Sequence, residues 1–230
     1  MKAAIISGLV AGAVISGLHS LFLEPVIDRA IEIEGQLNPP DATATTARPA
    51  VSRPTQKWGL VAGFLLLGAV WGLLFGLFIH LARAWRHPTW LTARQALLFA
   101  LVAGWTVAVF PFLKYPANPP GVGEPGSIGH RQSLYFGFVG LSIAGTVLAL
   151  GLHQRLDRLA SLRVASKARS GIAAGLYALY ASGIYIIMPT NPDPVGMPGQ
   201  LVWTFRAISF MGLIVFWVVL GVLFGWLHKE

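Results

Sequence analysis

The side chains best suited to hold a cation lie in one short segment. Glu24, Asp28 and Glu32 are spaced four residues apart, and His19 precedes Glu24 by five residues. Residues four apart share one face of a helix, so the carboxylates line up if the helix continues past the proline after Glu24. Carboxylate oxygens beside an imidazole suit Co²⁺, Ni²⁺, Mn²⁺ or Mg²⁺ better than Cu⁺. The segment predicts a cation-binding ladder. The alternative is a solvated helix end in which Arg29 pairs with Asp28 or Glu32.

Further candidate ligands lie in or just after two loops rich in proline and glycine. Asn118 and Asn191 each precede a proline, which favours stiff, shaped turns, and His130 follows the first loop. Backbone carbonyls left unpaired in such turns face either a cation path or water. We expect polar groups near His19, Asn118, His130 and Asn191 to pass a cation towards the other side.

The sequence predicts no enzyme and no tightly bound cofactor. It contains no cysteine, which excludes disulfides, thiolate metal sites and iron–sulfur clusters. It contains no P-loop, no G-x-S-x-G and no H-E-x-x-H motif. A haem- or pigment-binding protein is a further alternative, and it would need two histidines at one depth, such as His80 with His153.

Composition places these residues in a membrane protein. Of the 230 residues, 55% are hydrophobic and only 11% are charged, whereas soluble domains carry about 25% charged residues. The net charge of +8 comes mostly from loops between apolar runs. It therefore indicates contact with anionic lipid headgroups rather than with nucleic acid.

Six apolar runs have about the 20 residues that a membrane-spanning helix requires. The fold class predicted is all-α: a polytopic bundle of six transmembrane helices arranged as hairpins, forming one membrane domain over residues 1–230. The fifth run is the weakest because Tyr177, Tyr180, Ser182 and Tyr185 interrupt it. The runs are Ala3–Leu23, Trp58–Leu81, Ala93–Leu113, Leu134–Leu152, Gly171–Met188 and Ala207–Leu227.

Basic residues predict the orientation. One side of the bundle would hold ten Lys and Arg, including both terminal segments, and the other side seven. The positive-inside rule then places both termini in the cytoplasm and the protein in the cell (inner) membrane. Residues 35–57 become a flexible non-cytoplasmic loop between the first two helices.

Two features of the sequence concern how the helices pack. The loop Pro116–Gly126 matches Pro189–Gly199 at seven of eleven positions without a gap. We interpret this as a tandem repeat of the last two hairpins, with chance agreement between two Pro/Gly-rich loops as the alternative. Glycines also recur every four residues, which predicts close helix packing. They are Gly8, Gly12, Gly59, Gly63, Gly68, Gly72, Gly76, Gly221 and Gly225.

Two arginines, Arg131 and Arg206, fall where helices are expected to begin, which is unfavourable for the helix dipole. We therefore expect each to have a specific partner among the acids of the first outer loop, Glu24–Lys57. The alternative is that both extend to lipid headgroups.

Several segments resemble the CbtA family of cobalt-transporter subunits over nearly the whole length. They are Glu-Pro-Val-Ile-Asp-Arg-Ala-Ile-Glu-Ile-Glu at 24–34, Phe-Leu-Lys-Tyr-Pro-Ala-Asn-Pro-Pro at 112–120, His-Arg-Gln-Ser-Leu-Tyr at 130–135 and Phe-Arg-Ala-Ile-Ser at 205–209. The resemblance implies cobalt uptake linked to cobalamin synthesis, with a small single-span partner, CbtB. Some members carry a histidine-rich first outer loop, but residues 35–57 contain no histidine.

Together these observations predict a membrane subunit of a divalent metal uptake transporter, with Co²⁺ as the transported ion. Outer carboxylates would gather the ion and the helix bundle would pass it inward. The expected partners are the lipid bilayer, a CbtB-like subunit and further copies of the chain. The alternative is an accessory or scaffold subunit of a larger membrane complex, without transport activity.

Overall fold

The computed structural model describes residues 1–37, 51–85, 92–158, 166–191 and 193–228, and their regular structure is helical throughout. The predicted flexible loop falls largely on residues 38–50, outside the described part. At its edges the chain is already helical, because one helix continues to Leu37 and the next begins at Arg53. The α-helices are α1 (Lys2–Leu18), α2 (Glu24–Leu37), α3 (Arg53–Trp85), α4 (Ala93–Gly104), α5 (Phe110–Lys114), α6 (Ile128–Arg158), α7 (Ser166–Ile187) and α8 (Gly199–Leu227).

The prediction of six transmembrane helices is confirmed by length and composition. The fifth run also qualifies despite its tyrosines. Consecutive helices join into single spans where no loop separates them, so the first span contains both α1 and α2. The spans are Lys2–Leu37, Arg53–Leu81, Ala93–Lys114, Pro125–Leu156, Ala168–Ile187 and Gly199–Leu227.

The first and third spans share a local irregularity. A five-residue π-helical turn, His19–Leu23, joins α1 to α2, and a second one, Trp105–Val109, joins α4 to α5. Each turn is followed by one residue and then a proline, Pro25 or Pro111. Proline has no N–H and its ring clashes with the preceding turn, and a wider turn relieves that clash without breaking the helix. The helix therefore continues past Pro25, as the carboxylate ladder requires.

At the second π turn, close to Pro111, which has no N–H to donate, a side chain donates to a backbone carbonyl. The buried hydroxyl of Ser142 on α6 donates a 2.7 Å hydrogen bond to the Thr106 carbonyl oxygen. Inside a membrane no water replaces such a donor, so a neighbouring hydroxyl commonly does. The Thr106 hydroxyl also lies 2.9 Å from that of Thr146.

The chain divides into two compact units, which are described separately; the prediction of one domain stays a prediction. Unit 1 comprises Met1–Gly104, Ala117–Val122 and Val195–Glu230. In it, α1 packs against both α3 and α8, and α4 also packs against α8. Unit 2 comprises Trp105–Pro116 and Gly123–Pro194, in which α6 packs against α5 and α7. The tandem repeat of the last two hairpins likewise stays a prediction.

Glycines bring the backbones of α1 and α3 into direct contact. A Cβ added at Gly8 would overlap the Gly68 carbonyl oxygen, and one added at Gly72 would overlap that of Ala4. Such contact allows close packing where lipid offers no hydrophobic drive. The packing prediction is confirmed at these positions. It does not extend to Gly59 and Gly63, where an added Cβ would meet nothing within 4 Å in the described structure.

Unit 2 is held together by aromatic packing and by tyrosine hydroxyls. Phe110 and Phe138 form its buried core. On α7, the Tyr180 hydroxyl donates to the Leu141 carbonyl at 2.9 Å and the Tyr185 hydroxyl donates to the Leu113 carbonyl at 3.1 Å. The Tyr177 hydroxyl accepts from the Trp105 indole N–H at 2.6 Å. The tyrosines that weaken the fifth run thus supply its contacts to neighbouring helices.

Candidate functional site

The first π turn buries His19 within unit 1. The residue is 8% exposed, and its ring lies edge-on to Phe64 with centroids 4.9 Å apart. On the α8 side, Nε2 would lie 2.5 Å from a Cβ added at Gly212. Neither imidazole nitrogen has a hydrogen-bond partner among the residues that the structure describes. A buried polar group without a partner is costly, by about 1–3 kcal/mol, so this histidine calls for a functional explanation.

Glu24 ends the π turn, and its backbone N–H donates to the His19 carbonyl. Both residues are buried in the same unit. The Glu24 side chain is 7% exposed, whereas that of Asp28, one turn further along α2, is 47% exposed. The ladder therefore begins inside the protein and continues towards its surface.

Two basic residues at the start of α3 form ion pairs with the carboxylates of Glu24 and Asp28. Arg53 Nη2 donates to Glu24 Oε2 at 2.8 Å and also pairs with Asp28. Lys57 Nζ lies 2.9 Å from Asp28 Oδ2 and 3.5 Å from Glu24 Oε2. We call Glu24, Asp28, Arg53 and Lys57 the four-charge cluster. It contains two negative and two positive groups, and each acid contacts both bases.

The third predicted carboxylate lies outside this cluster. Glu32 is exposed and pairs with Arg29 on its own helix. At this position the structure therefore agrees with the alternative prediction of a solvated helix end. Asp28 pairs with α3 instead. Within the described parts of the chain, no group of three or more His, Cys, Asp or Glu side chains is arranged to hold a metal ion. The structure thus brings together two of the three predicted acids, with His19 five residues before the first of them.

Asn118 has a structural partner in unit 1. Its Oδ1 accepts a 2.7 Å hydrogen bond from Arg206 Nη2. Arg206 does not begin its helix, because α8 already starts at Gly199. The expectation was an acid of the first outer loop; within the described part of the chain the partner of Arg206 is the Asn118 amide, and Asp41 of that loop lies outside the described residues. The neighbouring Val122 packs with Met197 and Val202 in a small buried cluster that fixes this stretch against α8.

Asn191 and His130 belong to unit 2. The Asn191 side chain accepts the backbone N–H of Asp193 at 3.2 Å, which shapes the loop. His130 lies exposed in the first turn of α6. Among the described residues, neither of them joins a metal-ligating group with the carboxylates of α2.

Asp193 is the charged partner that sequence reasoning missed in unit 2. Its side chain is buried, and Oδ2 lies 3.1 Å from Arg131 Nε. The same oxygen accepts the Glu124 backbone N–H at 3.2 Å and the Ser127 hydroxyl. Arg131 therefore pairs with an acid of the loop Pro189–Gly199 rather than with one of the loop between the first two spans. Nothing in the local sequence joins residues 62 positions apart.

Arg53 and Lys57 were also missed, although the sequence carries a signal for them. They are spaced four apart, like Glu24 and Asp28, and stand at the start of the following apolar run. Helices joined as a hairpin place such positions side by side at the same end.

Tyr115 holds the segment that follows α5 in unit 2. Its hydroxyl donates to the Pro189 carbonyl at 2.6 Å. Burial raises the pKa of the Tyr115 phenol above its ordinary value, which keeps the group protonated and able to donate.

The helices define the class: a polytopic membrane protein with a buried histidine and an ion-paired carboxylate pair in its first span. The family model for CbtA, described as a probable cobalt transporter subunit, matches residues 1–229. The chain belongs to the CbtA family. It is therefore a membrane transporter subunit, and cobalt is the metal that its family description names. No curated protein and no solved structure gives a significant match.

Proposed function

We propose that this chain is the subunit through which Co²⁺ crosses the inner membrane into the cell. Both termini lie in the cytoplasm in this proposal, so the four-charge cluster faces outward. Glu24 and Asp28 gather the ion, and His19 receives it one π turn deeper. The protein carries no resident cofactor and performs no catalysis; Co²⁺ is its cargo.

The observation that carries the proposal is the buried imidazole of His19. Both of its nitrogens are without a partner among the described residues, although the bundle surrounds the ring. Elsewhere the same bundle supplies partners readily, as Ser142 does for the Thr106 carbonyl. A buried imidazole and a buried carboxylate five residues apart on one span are ligand types that suit Co²⁺. A transport site also benefits from few ligands, because an ion held too tightly does not leave.

Asn118, His130 and Asn191 have a lesser place in the proposal. The amide oxygens of the two asparagines already accept hydrogen bonds that shape their loops. Each oxygen has a second lone pair, so each could still contact a passing ion. We rank these three residues below His19, Glu24 and Asp28 as points of contact with Co²⁺.

Metal-dependent stabilisation of the purified protein tests the site. Thermal unfolding is measured with and without Co²⁺ for the wild type and for Glu24→Gln and His19→Ala. A ligand that binds only the folded state stabilises it by about 2.7 kcal/mol at a concentration of one hundred times Kd. We expect this stabilisation in the wild type and its loss in both variants.

Glu32→Gln is the matched control, because it removes a carboxylate from the same helix but outside the four-charge cluster. It should keep the metal-dependent shift. Equal unfolding temperatures with and without Co²⁺ in the wild type would refute the proposal. Full stabilisation of Glu24→Gln and His19→Ala would refute the roles of these residues.

A second candidate function is that of an accessory or scaffold subunit. It is favoured by the finding that the described residues include no metal-ligating group of three or more. Both functions allow a small single-span CbtB-like partner and further copies of the chain. In the scaffold function, variants of Glu24 and Asp28 co-purify with the partner and support normal cobalt uptake. In the transport function, they co-purify but uptake is lost.

A further inference from the structure

The four-charge cluster is balanced in charge and is built from one turn of each of two helices. Glu24 and Asp28 lie one turn apart on α2, and Arg53 and Lys57 lie one turn apart on α3. Three contacts between 2.8 and 3.5 Å, together with the pairing of Arg53 to Asp28, connect each acid to both bases. The sum of the four formal charges is zero.

The burial of Glu24 makes this balance necessary. A carboxylate that is 7% exposed loses most of its hydration, and a positive charge in contact with it offsets that loss. Arg53 and Lys57 supply that charge in this structure. A metal ion that binds Glu24 and Asp28 must therefore take the place of these two basic groups or share the acids with them.

We infer that Arg53 and Lys57 are built-in counter-ions which close the site when it is empty and which a divalent cation displaces with no change in net charge. The inference rests on the proposed function. One ion of charge +2 replaces two groups of charge +1, so both acids stay compensated throughout the exchange. A monovalent ion would leave one of the two negative charges uncompensated. The cluster thereby favours divalent cargo over the monovalent ions that are more abundant outside cells.

The position of the two bases allows them to withdraw. Arg53 is the first residue of α3, and Lys57 is one turn later with its side chain 45% exposed. Arg53 Nη1 also donates to Gln56 Oε1 at 2.8 Å. The guanidinium therefore keeps an acceptor on its own helix when it leaves the carboxylates. Both side chains are long and flexible enough to turn towards headgroups.

The test is Co²⁺ titration of the full chain in lipid nanodiscs by isothermal calorimetry, comparing the wild type with Arg53→Gln and Lys57→Gln. Loss of one competing positive charge should tighten Co²⁺ binding by at least about tenfold in each variant. Added K⁺ should also compete with Co²⁺ more strongly in the variants than in the wild type, because one acid is left without its counter-ion.

Two further variants control the comparison. Arg29→Gln removes an arginine of α2 that pairs with Glu32 outside the four-charge cluster, and it should leave the affinity for Co²⁺ unchanged. Arg53→Lys keeps the charge and should restore an affinity close to that of the wild type. If Arg53→Gln fails to fold, the more exposed Lys57→Gln carries the test.

The outcomes separate the inference from the proposed function. Tighter binding by the glutamine variants supports the inference, including the case in which only these variants bind measurably. A wild-type affinity for Co²⁺ that equals or exceeds the affinity of both folded glutamine variants overturns the inference and leaves the transport site standing. Absence of Co²⁺ binding in the wild type and in both variants overturns the two together.

Discussion

A single methyl group at Gly8 should separate the helices that form the core of unit 1. The Cβ of Gly8→Ala would overlap the Gly68 carbonyl oxygen and lie 2.8 Å from Gly72 Cα and 2.9 Å from Gly72 N. All three obstacles are backbone atoms of α3, so no rotamer change relieves them. Restoring ordinary contacts requires the two helices to move apart, and overpacking of this kind typically costs about 1–3 kcal/mol.

The matched control is Gly17→Ala on the same helix, where the added Cβ meets nothing within 4 Å. Both substitutions gain the same helix propensity, roughly 0.5–1 kcal/mol. The difference between the variants therefore isolates the steric cost, and we expect Gly8→Ala to be about 1–3 kcal/mol less stable than Gly17→Ala.

The assay is reversible unfolding in mixed micelles by titration with sodium dodecyl sulfate, followed by far-ultraviolet circular dichroism. The expected difference corresponds to roughly a five- to 150-fold change in the ratio of unfolded to folded protein. Equal midpoints for the two variants, or a more stable Gly8→Ala, would refute the close contact of α1 with α3.

Three other substitutions test separate contacts. Ser142→Ala should destabilise the protein by about 1–3 kcal/mol, because the Thr106 carbonyl loses its hydroxyl donor near Pro111. Ser133→Ala is the control on the same helix, because the exposed Ser133 hydroxyl donates to the Gly129 carbonyl within α6, and it should be nearly neutral in the same unfolding assay. Asp193→Asn removes the charge that Arg131 faces, so amide hydrogen exchange should speed up at Glu124 and Ser127 but not in α8; unchanged exchange at both would contradict the pairing. Burial raises the pKa of Tyr115, so the contribution of this group to stability is fully present below its unfolded pKa of about 10. The contribution is lost as pH rises through the folded pKa. Tyr115→Phe should therefore reduce the alkaline loss of stability, and identical pH profiles for the two proteins would count against this role.

The sequence predicts the spans and their close packing well, because both depend on local patterns. An apolar run of about 20 residues identifies a span without knowledge of its neighbours. Glycines four apart lie on one helix face, so Gly8 and Gly68 were correctly expected to contribute to packing. Gly59 and Gly63 show the limit, since the same spacing also occurs where the structure places no neighbour within 4 Å of an added Cβ.

The partners of charged groups were harder to predict. The ladder of Glu24 and Asp28 follows from spacing, but its neutralisation by Arg53 and Lys57 depends on how α2 meets α3. Arg131 was assigned to acids of the first loop, whereas it pairs with Asp193. The Arg131–Asp193 contact joins residues 62 positions apart, and neither composition nor periodicity indicates it.

The π turns follow from a local cause that the sequence does contain. Pro25 and Pro111 each lie within an apolar helix, where proline forces a kink, a wide turn or a break. The packing around each turn differs. In the first, the His19 imidazole is buried with no partner among the described residues; in the second, the Thr106 carbonyl accepts a hydrogen bond from Ser142. This difference at two similar turns is why the first carries the proposed site.

Cellular cobalt content, measured by elemental mass spectrometry, tests most directly whether Co²⁺ passes through this chain. Cells would express the wild type, Glu24→Gln/Asp28→Asn or Glu32→Gln at matched membrane levels, each with and without a single-span partner. The account predicts cobalt accumulation with the wild type and with Glu32→Gln, and its loss with the double variant. Equal accumulation in all three, or none with the wild type under either condition, would contradict it.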